Sequence, residues 1–254
     1  MTPHVREGRA AAWVATLGAM FQGRPVSVVF PAYNEEASIA SAVTDFGSLD
    51  VVDEVVVVDN NSRDATARRA EAAGARVVRE PRQGYGHALR RGLAEAGGEY
   101  VVLAEPDGTF MAKDILKLLA FADDFDLVLG TRTTRELIWH GANMGWQLRW
   151  GNWIVAKLLQ VLFDGPSLSD CGCTLRLIRR SAVQRLLPRF TVGGAHFLPE
   201  MVCLALLERQ RLVEVPVNYR NRVGESKITG SMHTALRVGA QMLGLILRYR
   251  VLGR

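Results

Sequence analysis

Two carboxylates one residue apart, Glu105 and Asp107 in Ala104-Glu105-Pro106-Asp107-Gly108-Thr109-Phe110, are the densest candidate chemistry in the chain. Hard oxygen donors of this kind suit Mg²⁺ or Mn²⁺ already carrying substrate phosphates. Pro106 stiffens the link between them, and Gly108 lets the backbone come close to something bulky. The plain alternative is a polar turn in which Asp107-Gly108 reverses the chain. Tyr100-Val101-Val102-Leu103 just before it reads as a buried strand. Both acids therefore fall past a strand's carboxyl end, where open α/β sheets place their ligands.

Other candidates stand at equivalent places. Tyr33-Asn34-Glu35, after the strand Val26 to Phe30 and Pro31-Ala32, can flank a nucleotide base and ribose. Equally, Asn34 can cap a helix whose first turn holds Glu35 and Glu36. Asp59 ends the apolar run Glu54 to Val58 and precedes Asn60-Asn61; it suits a ribose or base contact, or a strand-end Asx-turn. Arg82, Gly84 and Gly86 follow a third strand, Ala75 to Val78, and offer a cation and backbone N–H groups to a nucleotide, or else a tight turn. A dinucleotide fingerprint would follow the first strand and carry a third glycine, so a nicotinamide enzyme is disfavoured. Past residue 130 the candidates turn basic: Arg132, Arg135, Arg176, Arg179, and the loop Arg220, Arg222, Ser226, Lys227. Such cations neutralise an acceptor phosphate or a leaving diphosphate, or form a solvated basic loop. His196 suits a metal or diphosphate contact, or a structural role, and Asp170 is the nearest candidate base.

The elements that must position these groups alternate. Strands at 26–30, 54–58, 75–78, 100–103 and 126–129 are separated by helices: one holding Ile39, Val43 and Phe46, one capped by Asp64 and closed by Gly74, then 84–96 and 111–122. Repeats of this length imply right-handed crossovers and a mostly parallel sheet flanked by helices, an α/β fold whose polar clusters share one rim. Helices are expected over 143–163, from a cap at Ser181 to Pro188, over 201–209 and over 232–250, with strands near 176 and over 213–219.

The chain has 254 residues, 48% apolar, with a formal charge of +5. That charge favours anionic partners, and the absence of a nucleic-acid motif excludes DNA and RNA readers in favour of nucleotide phosphates or anionic lipid. Three cysteines without ligand spacing read as reduced core residues of a cytosolic protein. No apolar run reaches the ~20 residues of a spanning helix. Trp146, Trp150 and Trp153 with Arg149 and Lys157, and the apolar run Val238 to Leu247 with flanking Arg237, Arg248 and Arg250, suit a headgroup interface. A core helix, or a helix joining a homo-oligomer, fits the same patterns.

Val28-Val29-Phe30-Pro31-Ala32-Tyr33-Asn34-Glu35-Glu36 and Val56-Val57-Val58-Asp59-Asn60-Asn61-Ser62-Arg63-Asp64-Ala65-Thr66 resemble the opening of family 2 glycosyltransferases of GT-A fold. Glu105-Pro106-Asp107 stands where that family has its Asp-x-Asp metal motif. Arg82 to Ala88, Gly130-Thr131-Arg132, Cys173 to Arg180 and Arg222 to Lys227 resemble segments of its dolichyl- or polyprenyl-phosphate mannose (or glucose) synthases. Glu for the first Asp, and Asn60-Asn61 for the commoner Asp-Gly, are departures.

The resemblance covers about residues 26–230. It implies an N-terminal extension over 1–24, a GT-A domain over 25–231 (donor half about 25–131, acceptor half about 132–231) and a C-terminal amphipathic helix over 232–254. It further implies inverting transfer of a hexose from a nucleoside-diphosphate sugar to a polyprenyl phosphate, by a peripheral protein on the cytoplasmic face of an anionic membrane. In that picture Asp107, Arg132 and Asp170 serve catalysis. Pro31, Tyr33, Asn34, Glu35, Asp59, Asn61, Arg82, Gly86, Glu105 and Pro106 meet the nucleotide. Arg132, Arg176, Arg222, Ser226 and Lys227 meet the acceptor phosphate, and Glu105, Asp107 and His196 hold Mg²⁺ or Mn²⁺. The competing expectations are a transferase using Asp170 or Glu200 as base toward a soluble hydroxyl acceptor, and a nucleotide-sugar-binding protein without turnover.

Overall fold

The computed structural model describes residues 21–142, 146–224 and 232–253. Its centre is a seven-stranded sheet, β1 (Val26–Ala32), β2 (Glu54–Asp59), β3 (Arg76–Arg79), β4 (Tyr100–Leu103), β5 (Leu127–Thr131), β6 (Arg176–Arg179) and β7 (Leu212–Pro216), in the order β3-β2-β1-β4-β6-β5-β7. All neighbours are parallel except those of β6, which runs antiparallel between β4 and β5. The helices are α1 (Ile39–Gly47), α2 (Thr66–Ala72), α3 (Tyr85–Glu95), α4 (Ile115–Leu119), α5 (Trp146–Leu162), α6 (Arg180–Leu186), α7 (Phe197–Leu207) and α8 (Met232–Leu252).

Valine-rich strands with no polar face are what a sheet covered on both sides requires. Alternation along each strand divides the core. Val29, Val56, Val58, Val101, Leu103, Leu129 and Ile178 pack beneath α3, α6 and α7, while Val28, Phe30, Val57, Val102, Val128 and Leu177 pack beneath α1 and α4. α8 docks on α7 and α5 through Leu245, Ile246 and Tyr249, so it is a packed helix with one outward face. Leu243, Leu247 and Val251 are exposed on it, as are Trp150, Trp153, Ile154 and Val161 on α5.

Some boundaries differ from expectation for local reasons. The helix expected over 111–122 is reduced to α4, preceded by a 3-10 turn, Ala112–Asp114. α6 starts at Arg180, with Arg179 in the cap position, so Ser181 does not cap it. Asn34 is not the cap of α1 either. It sits at φ 53°, five residues ahead of Ile39, and its Oδ1 accepts from the Arg63 N–H at 2.8 Å. Glu36 and Asp64 clasp the same two loops: Glu36 Oε2 accepts from Ala65 N, and Asp64 Oδ2 from Glu36 N.

Candidate active site

Asp107, fully buried, lies just past β4. Its Oδ1 accepts from the Thr109 N–H at 2.9 Å and the Thr109 hydroxyl at 2.6 Å. Arg222 Nη1 stands 3.1 Å from Oδ2 as an ion pair without hydrogen-bond alignment, so that buried oxygen has no hydrogen-bond donor among the described residues. Arg222 Nη2 also lies 3.5 Å from Glu35 Oε1, beyond β1. Its loop is tied down where Val223 N donates to Asp107 O and Arg220 N to Thr109 O, both at 2.8 Å. One guanidinium thus bridges two carboxylates from neighbouring strand ends.

Glu105 stands beside Asp107. Its Oε1 accepts from Thr174 Oγ1 at 3.0 Å and from the Tyr85 hydroxyl at 3.3 Å, while those two hydroxyls are 2.6 Å apart. Burial and then the neighbouring Asp107 charge push the Glu105 carboxyl up to about 7. A buried orphan carboxylate oxygen beside a second acid is a fitting donor set for Mg²⁺ or Mn²⁺. Two carboxylates fill only part of such an ion's shell, leaving positions for phosphate oxygens. Among the described residues no three His, Cys, Asp or Glu side chains gather as a metal cage, so the expected set of Glu105, Asp107 and His196 is not assembled. His196 instead precedes α7 beside Gly194, its Nδ1 buried with no hydrogen-bond partner among the described residues and its pKa lowered by desolvation.

The loops after β2 and β3 are held together by polar side chains. Asn60 is buried, and its amide donates to Glu80 O and Arg82 O at 2.9 and 2.8 Å while its Oδ1 accepts from Gly84 N at 2.7 Å. Asn61, at φ 65°, adds a bond to Pro81 O. These asparagines tie the end of β2 to the turn after β3. Buried Glu80 accepts from Arg82 N at 2.9 Å and Nε at 3.2 Å, leaving Arg82 exposed but aimed. Asp59 forms the Asx-type turn, accepting from Ser62 N at 3.2 Å. Tyr33 is half-buried on the same rim, whereas Pro31 and Pro106 are buried. Gly86 owes its identity to close packing, since a Cβ there would lie 2.7 Å from Val192 O.

The residues past 130 bring two corrections. Asp170 is fully buried and accepts from Arg132 Nε (2.8 Å), Nη2 (3.0 Å) and N (3.1 Å), and from Gly172 N (3.1 Å). Burial alone would raise its pKa, but the Arg132 charge and these donors outweigh it and the net shift is downward. A carboxylate so engaged is not a general base. Arg132, stacked 5.1 Å from the Tyr219 ring, is held by the same pair, so its guanidinium is already committed to Asp170.

Arg176 is the second correction. Its guanidinium is fully buried and donates to the carbonyls of Cys171, Cys173 and Leu198, so it knits β6 to its surroundings and meets no acceptor. Glu200 is likewise fully buried and accepts from Thr191 and Val192, and Glu214 accepts from Ser169 and Asp170 N–H groups. Burial raises the Cys173 and Cys203 thiols to about 12, as inert core residues require. Ser226 and Lys227 lie outside the described residues.

Beside Arg132, a groove of about 430 Å³ is lined by Thr133, Arg135, Arg149, Trp150 and Trp153. The two indoles meet edge to face at 5.5 Å. A second hollow, about 250 Å³ and lined by Asp53 and Glu54, lies at the opposite ends of the strands and away from the carboxylates.

A mostly parallel sheet covered by helices, with an acid-Pro-acid turn and basic loops on its carboxyl rim, is the architecture of a GT-A glycosyltransferase. Residues 27–187 match the family model Glycosyl transferase family 2, and the chain belongs to that family. An uncharacterized glycosyltransferase of Mycobacterium bovis is 34% identical over 217 residues, covering 84% of this chain and 94% of its own. A dolichyl-phosphate hexose transferase of Haloferax volcanii is 32% identical over 206 residues, covering 80% and 86%. The crystal structure of glucosyl-3-phosphoglycerate synthase from Mycobacterium tuberculosis with Mn²⁺, uridine-diphosphate-glucose and phosphoglyceric acid superposes with a TM-score of 0.71 at 23% identity, over 98% of this chain and 85% of that one. Among the described residues no helix is long and apolar enough to cross a membrane.

Proposed function

We propose that this glycosyltransferase moves a hexose, mannose or glucose, from a nucleoside-diphosphate sugar to a polyprenyl phosphate, with inversion at the anomeric carbon. The carrying observation is that the buried acceptor-side carboxylates are engaged: Asp170 by Arg132, Glu200 by Thr191 and Val192, Glu214 by Ser169. A hydroxyl acceptor needs a general base, whereas a phosphate monoester is ionised near neutral pH and attacks without one. Arg135 and Arg149 give the Trp150–Trp153 groove the charge to take a phosphate head and the apolar wall to take the start of a prenyl chain. The similarity to a dolichyl-phosphate hexose transferase supports the same reading.

On the donor side, Tyr33, Asn34, Glu35, Asp59, Asn61 and Arg82 would frame base, ribose and diphosphate. Asp107 and Glu105 would hold Mg²⁺ or Mn²⁺, whose chemistry when bound is to stabilise negative charge on the departing diphosphate. Arg222, already a partner of Asp107, is placed to turn its guanidinium toward that diphosphate. The exposed apolar faces of α5 and α8, with Lys157 and Arg248 nearby, suit a protein resting on the cytoplasmic surface of an anionic bilayer, where its acceptor keeps its tail. A dimer through α8 is the other occupant that this face would accept.

A small phosphorylated acceptor is the second reading, favoured by the superposition on a phosphoglycerate-using enzyme. Radiolabelled UDP-glucose and GDP-mannose, offered with polyprenyl phosphate in detergent or with 3-phosphoglycerate in buffer, separate the two. Label passing into the organic phase, together with flotation of the protein on anionic vesicles, is the expected result. Label transferred only to phosphoglycerate would replace the first reading by the second.

A further inference from the structure

α8 does more than close the core. Tyr249, 3% exposed, donates its hydroxyl to Glu200 Oε1 at 2.8 Å. Glu200, fully buried on α7, makes no ion pair among the described residues; its other donors are Thr191 N (2.8 Å), Thr191 Oγ1 (2.7 Å) and Val192 N (3.0 Å). A buried carboxylate held by hydrogen bonds alone fixes whatever donates to it, because each lost donor leaves charge uncompensated.

The segment that Glu200 fixes is the wall behind the turn after β3. His87 N donates to Gly193 O at 3.1 Å. A Cβ on Gly84 would stand 2.3 Å from Gly193 O, one on Gly86 2.7 Å from Val192 O, and one on Gly193 2.0 Å from His87 Nε2. Such close approach, backbone to backbone at Gly84 and Gly86 and to the His87 ring at Gly193, leaves little slack. A displacement of residues 191–193 must pass to residues 84–87, and from there to Arg82, which Glu80 aims.

We propose that Tyr249 is a positioning residue for the sugar-nucleotide donor: through Glu200 and the 191–193 segment it sets the placement of the Arg82–His87 turn. The inference rests on the reading that this turn meets the nucleotide. It makes the C-terminal helix a part of the donor site as well as a candidate anchor.

The test uses the full chain and three proteins: wild type, Tyr249→Phe and Ile246→Val. The Phe variant keeps the buried ring and loses only the hydroxyl. The Val variant trims the buried face of the same helix and keeps the hydroxyl. Calorimetry with UDP and with GDP, each with Mn²⁺, reads donor affinity, and amide hydrogen exchange reads the Val192 and His87 N–H groups. Tyr249→Phe should weaken the better nucleotide by about three- to tenfold and speed exchange at both amides, less than the full effect of one hydrogen bond to a charged group because the nucleotide feels the loss only through the turn. Ile246→Val should change neither, whatever its melting temperature. A Phe variant that binds and exchanges like wild type overturns the inference alone. Equal effects in both variants would reduce Tyr249 to ordinary packing and overturn it too. Wild-type protein that binds neither nucleotide overturns the donor reading of the turn, and this inference with it.

Discussion

Asp170→Asn separates a base from a structural anion. The substitution keeps the size of the side chain and removes its charge, leaving the Arg132 guanidinium, whose side chain is 11% exposed, against a neutral amide. Three Arg132 donors between 2.8 and 3.1 Å lose a charged acceptor, and the new NH₂ group faces donors. Breaking one half of a buried pair costs about 3–5 kcal/mol. For a chain of this size each kcal/mol moves the melting temperature by about 2–4 °C, so a fall of roughly 6–20 °C is expected in differential scanning fluorimetry. The double variant Asp170→Asn/Arg132→Met should recover much of it, because no uncompensated charge remains. Acid titration supplies the sign. The native pKa of Asp170 is depressed, so its contribution is complete above the unfolded value of about 3.9 and is lost as pH falls through the lower native value. Wild type should therefore lose stability relative to the Asn variant only below about pH 4. A variant that melts within about 1 °C of wild type yet loses turnover by more than about 100-fold would refute the structural assignment and restore Asp170 as the base.

Two further outcomes bear on the carboxylate pair. With Glu105 near 7, Mn²⁺–nucleotide affinity should rise as pH increases through about 7, because the ion competes with a proton there; titration calorimetry at several pH values should show that rise flattened in Glu105→Gln. Arg222→Gln removes the cation that neutralises Asp107 and Glu35, so Mn²⁺ alone, followed by electron paramagnetic resonance, should bind more tightly than to wild type; unchanged or weaker binding would show that the guanidinium does not compete with the ion.

The parallel strands were legible because valine runs bounded by Gly, Asp and Pro can do little else in a chain with helices between them. The rim was legible for the same reason, since topology carries every strand's carboxyl end to one edge. The acceptor side was harder to read. Arg176-Leu177-Ile178-Arg179 looks the same whether its arginines meet a ligand or buried carbonyls, and only the insertion of β6 between β4 and β5 decides it. Asp170 was misread because a buried acid's meaning depends on a partner 38 residues away. Asn60-Asn61, a departure from the family's commoner Asp-Gly, gave no hint that the pair braces the turn after β3. Glu80, two residues before Arg82, was the one missed residue with a local signal: an acid placed to steer a nearby arginine. Tyr249 had none, as an aromatic in an apolar helix fits packing alone.

The insertion of β6 has a consequence for how the chain assembles. β4 acquires its second neighbour from a strand made only after β5 and α5, and β5 joins the first four strands in the sheet only through that late arrival. A nascent or truncated chain ending near residue 131 would hold four strands in register with the whole edge of β4 bare, and Tyr100-Val101-Val102-Leu103 is an apolar edge that invites pairing with another chain. Such late closure slows folding and lengthens exposure to aggregation. Residues 25–131 and 132–231 are therefore not interchangeable modules: exchanging the second segment between relatives transplants the strand that seals the first, and chimaeras should be cut so that β4, β5 and β6 come from one parent.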